Sequence, residues 1–391
     1  MPTPFFATLA GSIAYGAGRL DGLGDDVTAR AGAGARVLVV GDAGMARLGL
    51  VERVREILAR SGHAAVTFAD LAGEPTDAAI DAAAALARQH GAGLVVGIGG
   101  GSALDTAKLA AGIAPADRPA LAYGLCAIPL PAKPLRKILV PTTAGTGSET
   151  TRTSVFADST GRKLWAWGDE LRADLSLLDP ALAVELPRHL TAATGVDALV
   201  HAIEAATVKR ANPVATAFAL EAIRLGAAHL PRAVDRPDDI AARGAMAIAA
   251  ALAGLAIDIA GTGIAHAIGH ALGTIAKVHH GRAVGLCLRA ALAWNAEAAP
   301  ESHAAVARAL GVADHGQGNA ALAAAGAAAY AALLDRAGLP LSLADHGLGA
   351  KDAARLVQIS MDAENAPMRD NNARAVGGGD MARLAHAVLA A

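Results

Sequence analysis

The sequence predicts an α/β domain with a Rossmann-like parallel sheet, followed by an all-helical domain. Three observations predict this fold class. Short apolar runs alternate with helical segments through the first half of the 391-residue chain. A glycine-rich turn, Gly97 to Ser102, follows one of these runs directly. From about Leu182 onward, one helical segment follows another. We therefore predict an α/β nucleotide-binding domain over 1–184 and an all-helical metal-binding and catalytic domain over 185–391.

The individual elements follow from the spacing of apolar residues. Apolar runs of about five residues predict strands, and longer segments with helical periodicity predict helices, with Thr76 or Asp77 suited to cap one of them. The predicted strands are 36–40, 64–68, 93–97 and 137–141, with helices at 45–61, 77–90 and 102–114. The predicted helices of the second half are 191–208, 213–230, 239–257, 264–275, 283–296 and 380–391.

Composition narrows the function classes. The formal net charge is -2, aromatic residues make up 3%, and no Lys/Arg block is present, which argues against a nucleic-acid partner. The two cysteines cannot build a disulfide framework, which suits a reducing cytoplasm. The N-terminus lacks the pattern of a signal peptide, and the longest uncharged helical run, 244–257, is shorter than a bilayer span. We expect a cytoplasmic protein without a membrane partner.

Histidines between positions 201 and 280 form the strongest functional signal. Asp197 and His201 are four residues apart, as are His266 and His270, and each pair shares one face of its predicted helix. His279 and His280 follow, just before a glycine. A single histidine in such a place is more often structural, but the set favours a divalent-metal site. One carboxylate with several imidazoles suits Fe(II) or Zn(II), and the sequence does not choose between them.

Two loops that follow predicted strands could bind a nucleotide. In the first, a strand, glycines and the start of a helix bring backbone N–H groups around an anion, and Ser102 adds a hydroxyl or a helix cap. The second loop, 141–149, carries hydroxyl side chains and glycines that could bond ribose, phosphate or adenine. In both cases the alternative is a purely structural turn.

Asp42 follows the first predicted strand directly. A carboxylate at this position can accept hydrogen bonds from a ribose 2′-hydroxyl and would repel a 2′-phosphate, which favours NAD over NADP. The alternative is a simple cap for the helix that begins near Gly44.

Taken together, these segments resemble the iron-containing (group III) alcohol dehydrogenase family, whose architecture is that of dehydroquinate synthase. The resemblance rests on four stretches in their order along the chain. They are Gly-Gly-Gly-Ser-x-x-Asp-x-x-Lys at 99–108, Pro-Thr-Thr-Ala-Gly-Thr-Gly-Ser-Glu at 141–149, Asp-Ala-Leu-x-His-Ala-x-Glu at 197–204, and His-x-x-x-His at 266–270 with His280-Gly281 ten residues on.

The resemblance implies a role for each matching residue. It implies one divalent ion per chain, Fe(II) first and Zn(II) as the alternative, and places His270 near it as a proton-relay group, with His279 outside the ligand set. The implied metal ligands are Asp197, His201, His266 and His280. The implied NAD-binding residues are Asp42, Gly99, Gly100, Gly101, Ser102, Asp105, Thr142, Thr143, Thr146 and Lys163, with the glycines on the pyrophosphate and the threonines on the adenosine side.

The sequence departs from the family pattern at several positions. Ile257 stands where an aromatic is expected to narrow the substrate pocket, and Asp258 follows it. Glu74 replaces a frequent amide, and Trp165 and Trp167 match no family expectation. These departures put the usual small primary alcohol in doubt as the substrate.

The reaction that the resemblance implies is reversible hydride transfer between NAD and an alcohol carbon, with a metal acting as Lewis acid. A homodimer is also implied, with the stretch Phe5 to Tyr15 pairing across subunits. The alternatives are a glycerol-type or maleylacetate-type relative, or a lyase of the dehydroquinate synthase kind. The loop at 141–149 argues against the maleylacetate type, and the scarcity of Lys and Arg near the histidines argues against the lyase.

Overall fold

The computed structural model describes residues 5–9, 11–71 and 73–390, and the chain divides into two compact units. The first unit, which we call the sheet unit, comprises Leu9–Thr143 and Gly147–Ala183. The second, the helical unit, comprises Val184 onward, the short segment Ala144–Thr146, and the start of the chain up to Thr8.

The sheet unit is built on six parallel strands. Their order across the sheet is β1-β8-β5-β4-β2-β3, and a separate antiparallel hairpin is formed by β6 and β7. The strands are β1 (Ser12–Tyr15), β2 (Arg36–Asp42), β3 (Ala64–Leu71), β4 (Leu94–Gly99), β5 (Arg136–Pro141), β6 (Thr153–Ala157), β7 (Lys163–Trp167) and β8 (Leu175–Leu178). The parallel sheet followed by helices confirms the predicted fold class.

Both faces of the sheet are covered at its centre, which explains why the central strands contain continuous apolar runs rather than an alternating pattern. Along β2, Leu38 and Val40 pack into one core, while Val37 and Val39 pack into the other. Side chains of a strand alternate between the faces of its sheet, so a strand covered on both sides needs apolar residues at every position.

The helices are numbered in chain order, and short 3₁₀ turns occur between several of them. In the sheet unit they are α1 (Leu23–Ala31), α2 (Ala43–Arg47), α3 (Leu50–Arg60), α4 (Asp77–His90) and α5 (Gly101–Ile113). In the helical unit they are α6 (Arg188–Thr207), α7 (Pro213–Asp235), α8 (Ile240–Ala260), α9 (Ile264–Ala276), α10 (His280–Ala298), α11 (Pro300–Ala309), α12 (Asn319–Arg336), α13 (Ala353–Ser360), α14 (Ala366–Asn371) and α15 (Gly378–Leu389).

One predicted helix is wrong in its extent. The segment 45–61 was expected to be a single helix, but Gly49 adopts a left-handed conformation with φ of 71° and separates α2 from α3. A helix cannot continue through such a residue, and glycine adopts it without steric cost. The sequence analysis also did not identify β1, β8 or the β6–β7 hairpin.

Helix α6 is the centre of the helical unit. Every residue from Thr191 to Thr207 is buried, so α6 is surrounded on all sides rather than along one stripe. Among the described residues, α8 is the one helix long and apolar enough to cross a membrane, and 61% of its most apolar window is buried within the protein. Such burial is what the core helix of a folded domain shows.

Lys137 is a buried cation at the start of β5. Its side chain is 2% exposed, and its ammonium donates to the backbone oxygen of Leu135 at 2.9 Å. Burial lowers the pKa of Lys137 from 10.5 to about 8, and the nearby Asp174 carboxylate only partly opposes this effect. A charged lysine is therefore less stable here than in the unfolded chain.

We expect this burial to make stability depend on pH. Below pH 8 the lysine is protonated in both the folded and the unfolded state, and its desolvation destabilises the fold. Between pH 8 and 10.5 only the unfolded state holds the proton, so the free energy of unfolding rises with pH. Lys137→Met should stabilise the protein at pH 7 by about 3 kcal/mol, since the pKa falls from 10.5 to about 8 and each pKa unit corresponds to about 1.4 kcal/mol. The gain should vanish above about pH 10.5.

Urea unfolding measured from pH 7 to 11 checks this expectation. The exposed Lys133→Met is the matched control and should leave the pH dependence as in the parent protein. Parallel stability curves for Lys137→Met and the parent protein would contradict the assignment.

Candidate functional site

The helical unit brings one carboxylate and three imidazoles together. Asp197 and His201 come from consecutive turns of α6, His266 lies near the start of α9, and His280 begins α10. One ligand atom from each of the four lies within 4.8 Å of each of the others. Asp197 Oδ1 is 3.5 Å from His280 Nε2 and 3.9 Å from His201 Nε2. Such spacings suit ligands bound about 2.0–2.2 Å from one shared ion.

The bonding of these side chains fits a metal. Asp197 Oδ1 and His266 Nε2 are both buried and have no hydrogen-bond partner among the described residues. A buried polar atom without a partner costs about 1–3 kcal/mol, so two at one place call for an occupant. Burial lowers the pKa of His201, against the influence of Asp197, and so favours the neutral imidazole that metals bind.

Glu204 is a residue whose role the sequence analysis missed. It lies on α6, 3% exposed, and its Oε2 is 2.5 Å from His266 Nδ1. A carboxylate only accepts hydrogen bonds, so Nδ1 of His266 carries the hydrogen and Nε2 keeps its lone pair for a metal. The signal was the glutamate seven residues after Asp197, on the same face of the helix.

The two remaining histidines of the predicted set lie outside these four. The ring of His270 is 6.1 Å from that of His266 and 5.4 Å from that of His280, measured between centroids, so it lies beside the cluster. His279 is exposed and directly precedes α10.

In the sheet unit, the glycine turn connects β4 to α5. Gly99 has a φ of 144°, which side chains disfavour, and a Cβ there would meet Ala103 Cβ at 2.8 Å and Asp42 Oδ2 at 3.0 Å. Gly100 caps α5 and Gly101 begins it, followed by Ser102. The first N–H groups of a helix have no partner within it, so this end of α5 can bind an anion.

The strand order explains why the glycine turn follows β4. Strands β2, β3, β4 and β5 lie in the order β3-β2-β4-β5. The chain therefore adds β3 on one side of β2 and then β4 and β5 on the other side, so the strand order reverses between β2 and β4. Ligands of such sheets bind at the carboxyl ends of the strands where this reversal occurs. Asp42 ends β2 and Gly99 ends β4, so both residues lie at that point.

Asp42 caps a helix, the alternative role that the sequence analysis gave it. Its Oδ1 accepts a hydrogen bond from Met45 N at 3.0 Å at the start of α2. The other oxygen, Oδ2, faces Gly99. One carboxylate oxygen is therefore structural, and the second lies beside the glycine turn.

The predicted threonines divide between the two units. Thr142 is buried, its N–H bonds to Gly99 O at 3.0 Å, and its hydroxyl has no partner among the described residues. Thr143 lies against Gly100, and its methyl group would be 3.5 Å from a Cβ placed on Gly100. Thr146 belongs to the helical unit, in the segment that contains Gly145.

Asp105 and Lys163 are engaged by other side chains. Asp105 Oδ1 accepts from Ser148 at 2.5 Å and pairs with Lys108 at 2.9 Å, while Oδ2 accepts from Val155 N at 2.9 Å. These contacts connect α5 to the end of the second loop and to β6. Lys163, on β7, pairs with Glu74 at 2.7 Å.

Comparison with known proteins matches this architecture. Residues 10–180 match the family model for iron-containing alcohol dehydrogenase, and residues 191–388 match the C-terminal domain of that family. The chain is 38% identical to a sulfoacetaldehyde reductase of Bilophila wadsworthia over 70% of this chain and 71% of that protein. It is 34% identical to an NAD-dependent methanol dehydrogenase of Bacillus methanolicus over 84% of this chain and 86% of that protein.

A solved structure shows the same fold. The sulfoacetaldehyde reductase of Bifidobacterium kashiwanohense, determined in complex with NAD+, superposes with a TM-score of 0.89 at 30% identity, over 99% of both chains. The predicted enzyme class, an oxidoreductase of a family that uses NAD and a metal, is confirmed at this level. The chain belongs to the iron-containing alcohol dehydrogenase family.

Proposed function

We propose that this protein is a metal-dependent, NAD(H)-linked alcohol dehydrogenase or aldehyde reductase. The observation that carries the proposal is the convergence of the four side chains of the cluster, among them the buried Asp197 Oδ1 and His266 Nε2, which have no hydrogen-bond partner in the part of the chain that the structure describes. The proposed ligands are Asp197, His201, His266 and His280. Fe(II) is the expected ion and Zn(II) the alternative, because imidazole and carboxylate ligands suit both.

Each residue has a proposed part in the reaction. A divalent ion in the cluster would supply Lewis-acid chemistry, which lowers the pKa of an alcohol and polarises an aldehyde carbonyl. Glu204 holds the ring of His266 in the tautomer that can bind a metal. His270, beside the cluster, is the proposed proton-relay group, because a histidine can exchange a proton near neutral pH.

The proposed cofactor site lies at the carboxyl ends of β2, β4 and β5. The turn of Gly99, Gly100, Gly101 and Ser102 would hold the pyrophosphate, with Thr142 and Thr143 beside it. Asp42 Oδ2 would accept from the ribose hydroxyls of NAD. Lys163 and Thr146 remain proposed contacts of the cofactor.

A homodimer and a cytoplasmic location are also proposed. Strand β1 is an edge strand of the sheet, and Ile13 and Tyr15 on it are 44% and 49% exposed. An exposed, apolar edge is a surface on which a second strand can pair. Cys126 is exposed and unpaired, as expected in a reducing compartment. An alcohol or aldehyde is the proposed small-molecule partner.

The activity is tested with a panel of alcohols and aldehydes, with NAD and NADP, after loading with Fe(II) or Zn(II). We expect one NADH per alcohol oxidised and one bound ion per chain; a lyase would form no net NADH. His266→Ala should remove most of the metal and most of the activity while leaving the circular dichroism spectrum unchanged. Full metal occupancy in this variant would sink the ligand assignment.

The close packing of α10 on α6 yields a second prediction. A Cβ at Gly281 would lie 2.0 Å from Ala193 O and 3.0 Å from Asp197 Cβ, so only glycine allows this approach directly after His280. Gly281→Ala should displace His280, lower metal affinity, and destabilise the fold by about 1–3 kcal/mol. Equilibrium metal binding and urea unfolding are the measurements.

Gly379→Ala is the matched control. It also lies in a helix, but a Cβ there meets nothing within 4 Å, so we expect unchanged metal binding and a slight gain in stability. Wild-type metal affinity in Gly281→Ala would mean that this approach does not determine the position of His280.

Asp42 yields a third prediction, which concerns the cofactor. Asp42→Asn keeps an oxygen for the cap on Met45 N but replaces the charge beside Gly99 by an amide. The ratio of kcat/KM with NAD to that with NADP should fall by an amount corresponding to about 1–3 kcal/mol, since a charge-assisted hydrogen bond and a repulsion are both lost.

Thr76→Ala is the control for loss of a helix cap in the same unit, because Thr76 caps α4 through Ala79 N. It should lower stability by about 1 kcal/mol and leave the cofactor ratio unchanged. A ratio that stays at its original value in Asp42→Asn would show that Asp42 is only a cap.

A further inference from the structure

The first turn of α9 is capped by side chains from distant parts of the chain. Gly263 precedes the helix and has no side chain with which to cap it. Glu204 instead accepts from Gly263 N at 2.9 Å through Oε2 and from Ala265 N at 2.7 Å through Oε1. Asn372 Oδ1 accepts from the amide between them, Ile264 N, at 3.4 Å. Three successive N–H groups thus bond to two buried side chains.

Asn372 is held in one orientation by its own partners. Its side chain is buried, and its amide nitrogen donates to Asn295 Oδ1 and to Arg374 O, both at 2.8 Å. Asn295 in turn donates to Asn372 Oδ1 at 3.1 Å. Because the nitrogen serves two acceptors, the oxygen must face Ile264 N. The Asn295–Asn372 pair is therefore a fixed support for the start of α9.

Neighbouring contacts fix the segment before α9 in the same way. Asn371 donates to Ala260 O at 2.8 Å and to Thr262 O at 2.9 Å. The turn between α8 and α9 is thus bound at successive positions by side chains from α6 and from residues 371–372. His266 lies at the third position of α9, one residue after the last capped amide, so the cap holds the backbone that carries this side chain.

We propose that Glu204 and Asn372 act together as positioning residues for His266 and thereby set the affinity of the cluster for its metal. Glu204 acts on the ring directly, because its Oε2 accepts a hydrogen bond from His266 Nδ1, 2.5 Å away. It also acts on the backbone that carries the ring, through Ala265 N. Asn372 acts on the backbone alone. This inference rests on the proposed metal site, since it assigns the residues that orient one of its ligands.

The energetics favour such a joint arrangement. A buried carboxylate is tolerated when hydrogen-bond donors surround it, and Glu204 has three. Two of them are N–H groups at a helix N-terminus, where a negative charge is stabilised further. Partners of metal-bound histidines typically change metal affinity by about 10–100-fold when they are altered.

The test uses the full chain, stripped of metal, and titrated with Co(II) as the probe. Visible absorption reports Co(II) binding, and thermal unfolding of the metal-free protein reports stability. Glu204→Gln should weaken Co(II) binding by about 10–100-fold, because an amide offers one acceptor where the carboxylate has two. Asn372→Ala should weaken it less, in the same direction. The double variant should lose less than the product of the two effects, because both act on one turn.

Thr207→Val is the matched control. Thr207 is buried on α6, one turn beyond Glu204, and the bonds of its hydroxyl to described residues stay within that helix, to Ile203 O and Glu204 O. We expect its Co(II) affinity to equal that of the parent protein. Absence of Co(II) binding by the parent protein would overturn the proposed metal site itself.

If the parent protein binds Co(II), and both Glu204→Gln and Asn372→Ala bind it with the same affinity, the positioning role alone would be overturned. In that case a lower melting temperature of the metal-free variants would show that the cap only stabilises the fold. If Glu204→Gln does not fold, Asn372→Ala decides the question, because it leaves the bond between Glu204 and His266 in place.

Discussion

The constraint on which the helical unit depends is the burial of two carboxylates within its central helix. Asp197 and Glu204 lie on α6, two turns apart, in a stretch where every neighbour is also buried. A buried carboxylate destabilises a fold by several kcal/mol unless it is paired and hydrogen-bonded. The surrounding helices must therefore bring donors or cations to both, and the starts of α9 and α10 lie against these two carboxylates.

The two carboxylates are accommodated in different ways. Glu204 is bonded by protein groups alone, through the first amides of α9 and the ring of His266. Asp197 faces imidazoles and keeps one oxygen without a partner among the described residues. The hydrogen bonds of Glu204 are thus completed by the protein, while Asp197 keeps an oxygen that could accept a cation. This difference distinguishes Glu204 from the proposed ligand Asp197 more clearly than sequence position does, because both belong to the same short motif.

The same physical principle serves both units. The first N–H groups of a helix have no partner within it and attract negative charge. At α9 these groups receive the carboxylate of Glu204 from the protein itself. At α5 the first N–H groups follow a glycine turn. Gly100 has no side chain that could cap them, and Gly99 adopts a conformation that favours glycine. The start of α9 is thus capped by a side chain of the protein, whereas the start of α5 has no side-chain cap and its N–H groups can receive an anion.

The sequence predicted those features that depend on local spacing. The i, i+4 pairs on α6 and α9 follow from helical geometry, and the strands from continuous apolar runs. The break at Gly49 was missed because helical periodicity on both sides hid one left-handed residue. The β6–β7 hairpin was missed because polar and apolar residues are mixed along its strands, whereas the predicted strands were identified from continuous apolar runs. Glu204 and Asn372 lie 168 residues apart, and no local pattern relates them.

Strand order is the remaining feature that spacing alone could not predict. The glycine turn follows the third of the strands expected from the sequence, an unusual position for a dinucleotide-binding turn. In the structure that strand, β4, lies beside β2, and the order in which strands are added to the sheet reverses between them. The turn and Asp42 therefore occupy the ends of adjacent strands although 57 residues separate Asp42 from Gly99. Asp42 and the glycine turn become neighbours through the order of strand pairing, because the connection through α4 carries the chain from β3, on one side of β2, to β4 on the other side.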